Sequence, residues 1–179
     1  MGLSWDDLLA EAGRHTAETF DVHVLRDLVS RLEVTPALLE GRIAFSEEAY
    51  ARNLVHRDEL FECVCLCWMD SQATSIHDHG RSFGVVRVVE GVMREEIFRV
   101  QDGAAPRGVK TLMHGPESLS VAPEGMIHRL GNGGEGDRRL VSLHFYAGPL
   151  DVMNLYDPGS GAVSSQSMRY RSEPDLVPG

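Results

Sequence analysis

Long basic runs and long apolar runs are both missing from this chain of 179 residues, and each absence removes a class of function. No stretch of Lys or Arg is dense enough to reverse locally a formal net charge of -10. Phosphate backbones and anionic lipid are repelled, so neither nucleic acid nor membrane is expected as a partner. No apolar run approaches the roughly 18 residues of a membrane span, and the start, MGLSWDDLLA, has Asp6 and Asp7 where a secretion signal would be basic and then apolar. A cytosolic protein is expected. Cysteine is scarce too: Cys63, Cys65 and Cys67 alternate within one apolar run. On a strand such residues share a face at a spacing unfavourable for a disulfide. With no second Cys or His group beside them to complete a metal cluster, they read as reduced packing residues in a reducing compartment.

What is present suffices for one domain spanning 1–179, with 42% hydrophobic residues to build its core. Residues 1–49 read as helical. Asp21 can cap a helix in which Val24, Leu25, Leu28, Val29 and Leu32 form one apolar stripe. Thr35 and Pro36 open a second, short helix that Gly41 ends, and Ser46, Glu47 and Glu48 suggest a further helical turn. Residues 50–170 change to strands: LFECVCLCWM, SFGVVRVVEG, VMREEIFRV, ESLSVAP, RRLVSLHFY and VMNLY, separated by Gly, Pro, Asp or Asn. Many short strands at close spacing imply a mainly β protein, a barrel with its helices packed on one outer wall. The tail, 171–179, is expected to fray.

The segment SIHDHGRSFGVVRVVEG carries the chemistry. His77 and His79 are two apart on an expected strand, so both imidazoles leave from one face and Asp78 from the other. Asp78 is assigned to turn or helix-facing contacts, and His114 to the surface. Downstream, PEGMIHRLGN places Pro123, Gly125 and His128 on a turn that enters another strand, with Asn132 beyond. Together these segments resemble the two signatures of the cupin superfamily, whose jelly-roll barrel brings an HxH pair and a lone histidine together on a metal. The first signature closes on Gly91. The resemblance departs at one place: the usual carboxylate ligand would fall at Phe83 or Gly84. A neutral three-histidine set leaves a divalent metal its full charge and open positions for substrate.

Two further segments resemble the cysteine dioxygenase family: YARNLVHRDELFECVCLCW and SLHFY. The likeness runs from about residue 50 to Tyr170. It implies one Fe(II) on His77, His79 and His128, and L-cysteine and dioxygen as the small-molecule partners, with cysteine sulfinic acid as product. It further implies that Arg52 binds the substrate carboxylate, a task suited to a guanidinium fork. Tyr146 would hydrogen-bond oxygen or substrate, with His144 holding the phenol and Ser142 supporting both. Tyr50, Leu66, Trp68, Met153 and Met168 would line the pocket, although the two methionines also fit as ordinary core filling. Animal members carry a cysteine that becomes linked to the active-site tyrosine, and the matching position is Gly84. That marks a bacterial-type member without the crosslink, expected to be a monomer.

The nearest alternative is a dioxygenase of 3-mercaptopropionate or another small thiol. Relatives with that preference are expected to replace the arginine of YxRNLV by glutamine and to use an arginine beyond SLHFY, whereas Arg52 is present and YAGPLDVMNLY has none. From other classes come a sugar-binding zinc or manganese cupin and a ligand-sensing barrel without catalysis. The first would be expected to keep the metal carboxylate, and the second has no evident need of Tyr146.

Overall fold

The computed structural model describes residues 2–101, 104–136 and 138–170, so the expected fraying of 171–179 lies outside the described residues. Among the described residues three helices come first: α1 (Trp5–Ala12), α2 (Val22–Arg31) and α3 (Pro36–Leu39). Each starts on an oxygen that accepts from a backbone N–H left over in its first turn: Ser4 from Asp7, Asp21 from His23 and Val24, Thr35 from Leu38. Gly41, at φ 68°, turns the chain away after α3. The helical turn expected at Ser46–Glu48 does not form. The chain bends there instead, and the Ser46 carbonyl accepts from Gln72 Nε2 at 2.9 Å. No apolar stripe reinforces a helix at that point.

Eleven strands follow among the described residues: β1 (Ala51–Arg57), β2 (Phe61–Trp68), β3 (Ile76–Asp78), β4 (Phe83–Glu90), β5 (Met93–Arg99), β6 (Arg107–His114), β7 (Leu119–Ala122), β8 (Ile127–Asn132), β9 (Leu140–Ala147), β10 (Val152–Tyr156) and β11 (Val163–Ser167). They form two antiparallel sheets, ordered β1-β2-β9-β4-β7 and β11-β10-β3-β8-β5-β6. The sequence pattern misses β6 and β11. Both are edge strands with mostly exposed side chains, so no period of two marks them, and their neighbours β5 and β10 recruit them by backbone pairing.

The alternation of β2 and β9 divides the core. Cys63, Cys65 and Cys67, with Val141, Leu143 and Phe145, face outward and pack against Leu8, Leu25, Leu28, Val29 and Leu32 of the helical segment. The helices therefore cover one outer wall. Arg87 of β4 crosses this layer and donates from Nη1 to the Val29 and Leu32 carbonyls at the end of α2, while Nη2 pairs with Glu117. Val64, Leu66, Trp68 and Leu140 face inward and meet Met93 and Leu130 of the opposite sheet. Fully burying each such large side chain contributes about 1.5–3 kcal/mol. The five-stranded sheet thus sits between two apolar layers, and polar residues on its inner face stand out. Among the described residues no helix is long and apolar enough to cross a membrane.

Candidate metal centre

Strand pairing, rather than chain proximity, assembles the three histidines. His77 lies directly opposite His128 across β3 and β8, and His79, one residue beyond β3, turns its ring to the same point. The ring centroids are 4.7 Å (His77–His128) and 5.1 Å (both pairs with His79) apart. One nitrogen from each lies within 4.8 Å of the others, and all three side chains are buried. His77 Nδ1 is 2.9 Å from the Ser75 carbonyl, and His128 Nδ1 is 2.9 Å from Glu95 Oε1. Both partners only accept, so in each ring Nδ1 carries the proton and Nε2 keeps its lone pair for the centre. His79 and His128 bring their Nε2 atoms to 3.4 Å, a close approach of two lone-pair donors that a shared cation resolves. Burial holds His79 well below the usual histidine range and takes His77 down to about 3, with neighbouring histidines and Arg52 adding to it. Neutral imidazoles are what a metal requires. The donor set therefore fits a divalent transition metal, and among the described residues no carboxylate joins it.

Glu95 is a residue that sequence reasoning missed. It lies on β5 between Met93 and Ile97 on one strand face, is 1% exposed, and also accepts from Ser120 Oγ at 2.7 Å and pairs with His114 Nε2 at 2.9 Å. Burial alone would raise its pKa, but these three hydrogen bonds outweigh it and keep the carboxylate below its ordinary value. His114 is accordingly not a surface histidine. Asp78 faces neither a helix nor the metal: it accepts from Gly80 N, closing a turn, and from Asn154 and Tyr156 of the paired strand β10. The signal that could have found Glu95 is a carboxylate at an inward position of an otherwise apolar strand face.

A second buried polar row comes from β9. Ser142, His144 and Tyr146 share its inner face; Ser142 Oγ is 2.8 Å from His144 Nε2, and His144 Nδ1 is 3.2 Å from the Tyr146 hydroxyl. Trp68 Nε1 donates to Ser142 Oγ at 3.0 Å and anchors the far end. The serine proton then goes to His144 Nε2, His144 Nδ1–H donates to the phenol oxygen, and the phenol proton remains for the pocket. Burial, with the charge of Arg52 next, keeps His144 well below the usual histidine range, as that direction requires. Burial also pushes the Tyr146 phenol up to about 12. Its ring stands edge-on to His79, with centroids 5.0 Å apart. Gly84 lies opposite on β4, where a Cβ would sit 3.2 Å from Tyr146 Cδ1.

Arg52 of β1 is buried, and its Nε and Nη2 have no hydrogen-bond partner among the described residues. A groove of about 1120 Å³, walled by Tyr50 and by Met168 and Tyr170 of the C-terminal segment, leads to it. Tyr50 stacks on Trp68 at 4.5 Å between centroids, and Leu66 belongs to the same apolar wall. Met153 and Met168 pack in the cluster around Tyr146. Of the pocket residues named from sequence, Tyr50, Arg52 and Met168 border this groove, while Leu66 and Trp68 lie in the inner apolar layer and Met153 lies beside Tyr146. Glu62, buried beside Arg52, was not anticipated.

Comparison with known proteins agrees with this geometry. The family model described as cysteine dioxygenase type I matches residues 15–159. Among curated relatives, cysteine dioxygenase type 1 of Danio rerio is 25% identical over 163 residues, covering 88% of this chain and 80% of its own. That of Homo sapiens is 27% identical over 157 residues, covering 86% and 78%. Among solved structures, a Bacillus halodurans protein superposes with a TM-score of 0.53 at 18% identity over 73% of this chain and 86% of its own. An uncharacterized conserved protein with a double-stranded β-helix domain from Klebsiella pneumoniae gives 0.50 at 14% identity, over 73% and 89%. These two share the fold, a cupin-type double-stranded β-helix.

Proposed function

The chain belongs to the cysteine dioxygenase type I family, a thiol dioxygenase by that membership, and we propose that its metal is Fe(II) and its substrate L-cysteine, converted to cysteine sulfinic acid. The observation that carries this reading is a pairing. A neutral three-histidine set without a carboxylate stands beside a buried guanidinium whose Nε and Nη2 lack hydrogen-bond partners among the described residues. The first suits a metal with room for substrate, the second a substrate with a carboxylate.

His77, His79 and His128 would hold the ion, which when bound supplies a Lewis acid that favours the thiolate and a redox centre for dioxygen. Arg52 would take the substrate carboxylate in a two-point fork, fixing which way the sulfur faces. Tyr146 would donate its retained proton to an oxygen atom in the pocket, with Trp68, Ser142 and His144 preventing the phenol from swinging away. Tyr50, Leu66, Met153 and Met168 would exclude water from the thiolate, which in open solution would run on to disulfide. The sulfur lone pairs supply the electrons for both new S–O bonds, so no external reductant is needed. A chemistry centred on sugar binding has no use for the Arg52 fork or for the row ending in Tyr146.

The test is oxygen uptake by the iron-loaded protein with L-cysteine, 3-mercaptopropionate and cysteamine, with sulfinate measured in parallel. Cysteine should be preferred, with one dioxygen consumed per sulfinate formed. A preference for 3-mercaptopropionate would move the substrate. Stoichiometric zinc in the purified protein, with no uptake on any thiol, would remove the reading altogether.

A further inference from the structure

The inner row of β2 runs Glu62, Val64, Leu66, Trp68, and its first member is a carboxylate that the mechanism above does not use. Glu62 is fully buried and lies directly opposite Tyr146 across β2 and β9. Its Oε1 stands 3.6 Å from Arg52 Nη2, an ion pair without a hydrogen bond: Oε1 has no hydrogen-bond partner among the described residues, and neither has Nη2. Its Oε2 accepts from the Tyr170 hydroxyl and from Arg57 Nη1 at 3.4 Å. Arg57 also donates to the Tyr170 oxygen at 2.8 Å and is held by Asp151 at 2.7 Å. The Tyr170 ring lies 5.8 Å from the Arg52 guanidinium. One buried carboxylate is therefore shared between the substrate arginine on one side and a tyrosine–arginine clamp on the other.

Resting on the thiol dioxygenase reading, we infer that Glu62 is a specificity-determining residue, an internal anion that competes with the substrate's carboxylate for Arg52 and whose strength as a competitor is set by Tyr170. A buried cation needs a counter-charge when the pocket holds no ligand, and Glu62 supplies it. When a carboxylate arrives on the open Nε edge, two anions share one guanidinium and repel each other, so binding is weaker than an unopposed arginine would give. A thiol without a carboxylate meets no such competition. The hydroxyl of Tyr170 and the charge of Arg57 draw negative charge toward Oε2 and so away from Arg52. Glu62 thus narrows the advantage of carboxylate-bearing thiols, and Tyr170 partly restores it.

Two substitutions are expected to move carboxylate binding in opposite directions. Binding is measured calorimetrically on the iron-loaded protein without oxygen, so that no turnover intervenes, using L-cysteine, 3-mercaptopropionate and cysteamine. Glu62→Gln removes the competing charge and keeps the shape, and should tighten both carboxylate thiols about tenfold while leaving cysteamine unchanged. Tyr170→Phe keeps the ring over Arg52 but removes the donor to Glu62, and should weaken both carboxylate thiols roughly threefold to tenfold, again sparing cysteamine. Weaker carboxylate binding in Glu62→Gln, equal shifts for cysteamine, or both variants moving the same way would overturn the inference. If Glu62→Gln does not fold, the direction in Tyr170→Phe decides. Wild type that binds thiols while both variants match it removes this inference alone; wild type that binds no thiol removes the dioxygenase reading and this inference with it.

Discussion

His128 on β8 is held by Glu95 on the neighbouring strand β5, Nδ1 to Oε1 at 2.9 Å, with each side chain 1% exposed. The contact fixes the tautomer of the histidine, turns its Nε2 to the centre, and makes the ring a stronger base toward a cation. Ser120 and His114 in turn orient the carboxylate.

Glu95→Ala should lower metal affinity about tenfold to a hundredfold, and Glu95→Gln, which can still accept from Nδ1, should lose less. Competition with a chelator measures both, with circular dichroism as the control for folding. Wild-type affinity in Glu95→Ala would show that His128 needs no carboxylate behind it. His128→Ala itself should abolish retention of the metal.

Arg52→Gln should raise the KM for cysteine by about tenfold to a hundredfold and leave that for cysteamine, which has no carboxylate, close to its starting value. Steady-state oxygen uptake on the two substrates checks this. Equal losses on both would take Arg52 out of the substrate site.

His144 ties stability to pH. Burial lowers its pKa in the folded chain, so on going below about pH 6.5 the unfolded chain binds a proton that the folded one refuses. Its contribution is fully present above that value and is lost as pH falls toward the folded pKa, by at most about 1.4 kcal/mol per pH unit. Urea unfolding of the metal-free protein at pH 7.5 and 5.5 should show the loss, and His144→Asn should show less of it. An unchanged pH dependence in His144→Asn would contradict a buried, neutral His144.

Gly84→Cys would place a sulfur against the Tyr146 ring, since even a Cβ there comes within 3.2 Å of Cδ1 and 3.3 Å of Cε1. With iron and oxygen present, a thioether between the two residues should form with loss of two hydrogen atoms, visible in the intact mass and in a linked peptide. An unlinked cysteine after turnover would show that the close approach is not enough.

Much of this molecule is determined locally, by residues close together along the chain. Asp21, Thr35 and Gly41 mark helix ends because capping needs only neighbouring backbone groups. The period of two put Ser142, His144 and Tyr146 on one face and Cys63, Cys65 and Cys67 on the other side of the sheet, because strand geometry alone sets that alternation. The HxH pair shows chelating spacing on one strand face, and the PxGxxH turn supplies the third histidine through its resemblance to the second cupin signature; the grouping of His77, His79 and His128 then follows from the pairing of β3 with β8. Hidden were the features that depend on which strands become neighbours. Edge strands β6 and β11 have no buried face to impose a pattern on them. Glu95 gains its role only when β5 pairs with β8, and His114 only when β6 pairs with β5. Glu62 meets Arg52 across β1 and β2, and meets Tyr170 from more than a hundred residues away. The sequence by itself therefore determined the histidines and the inward row of β9, while tertiary structure decided which buried charges answer one another, because a charge taken out of water is stabilised by its spatial partners and not by its neighbours along the chain.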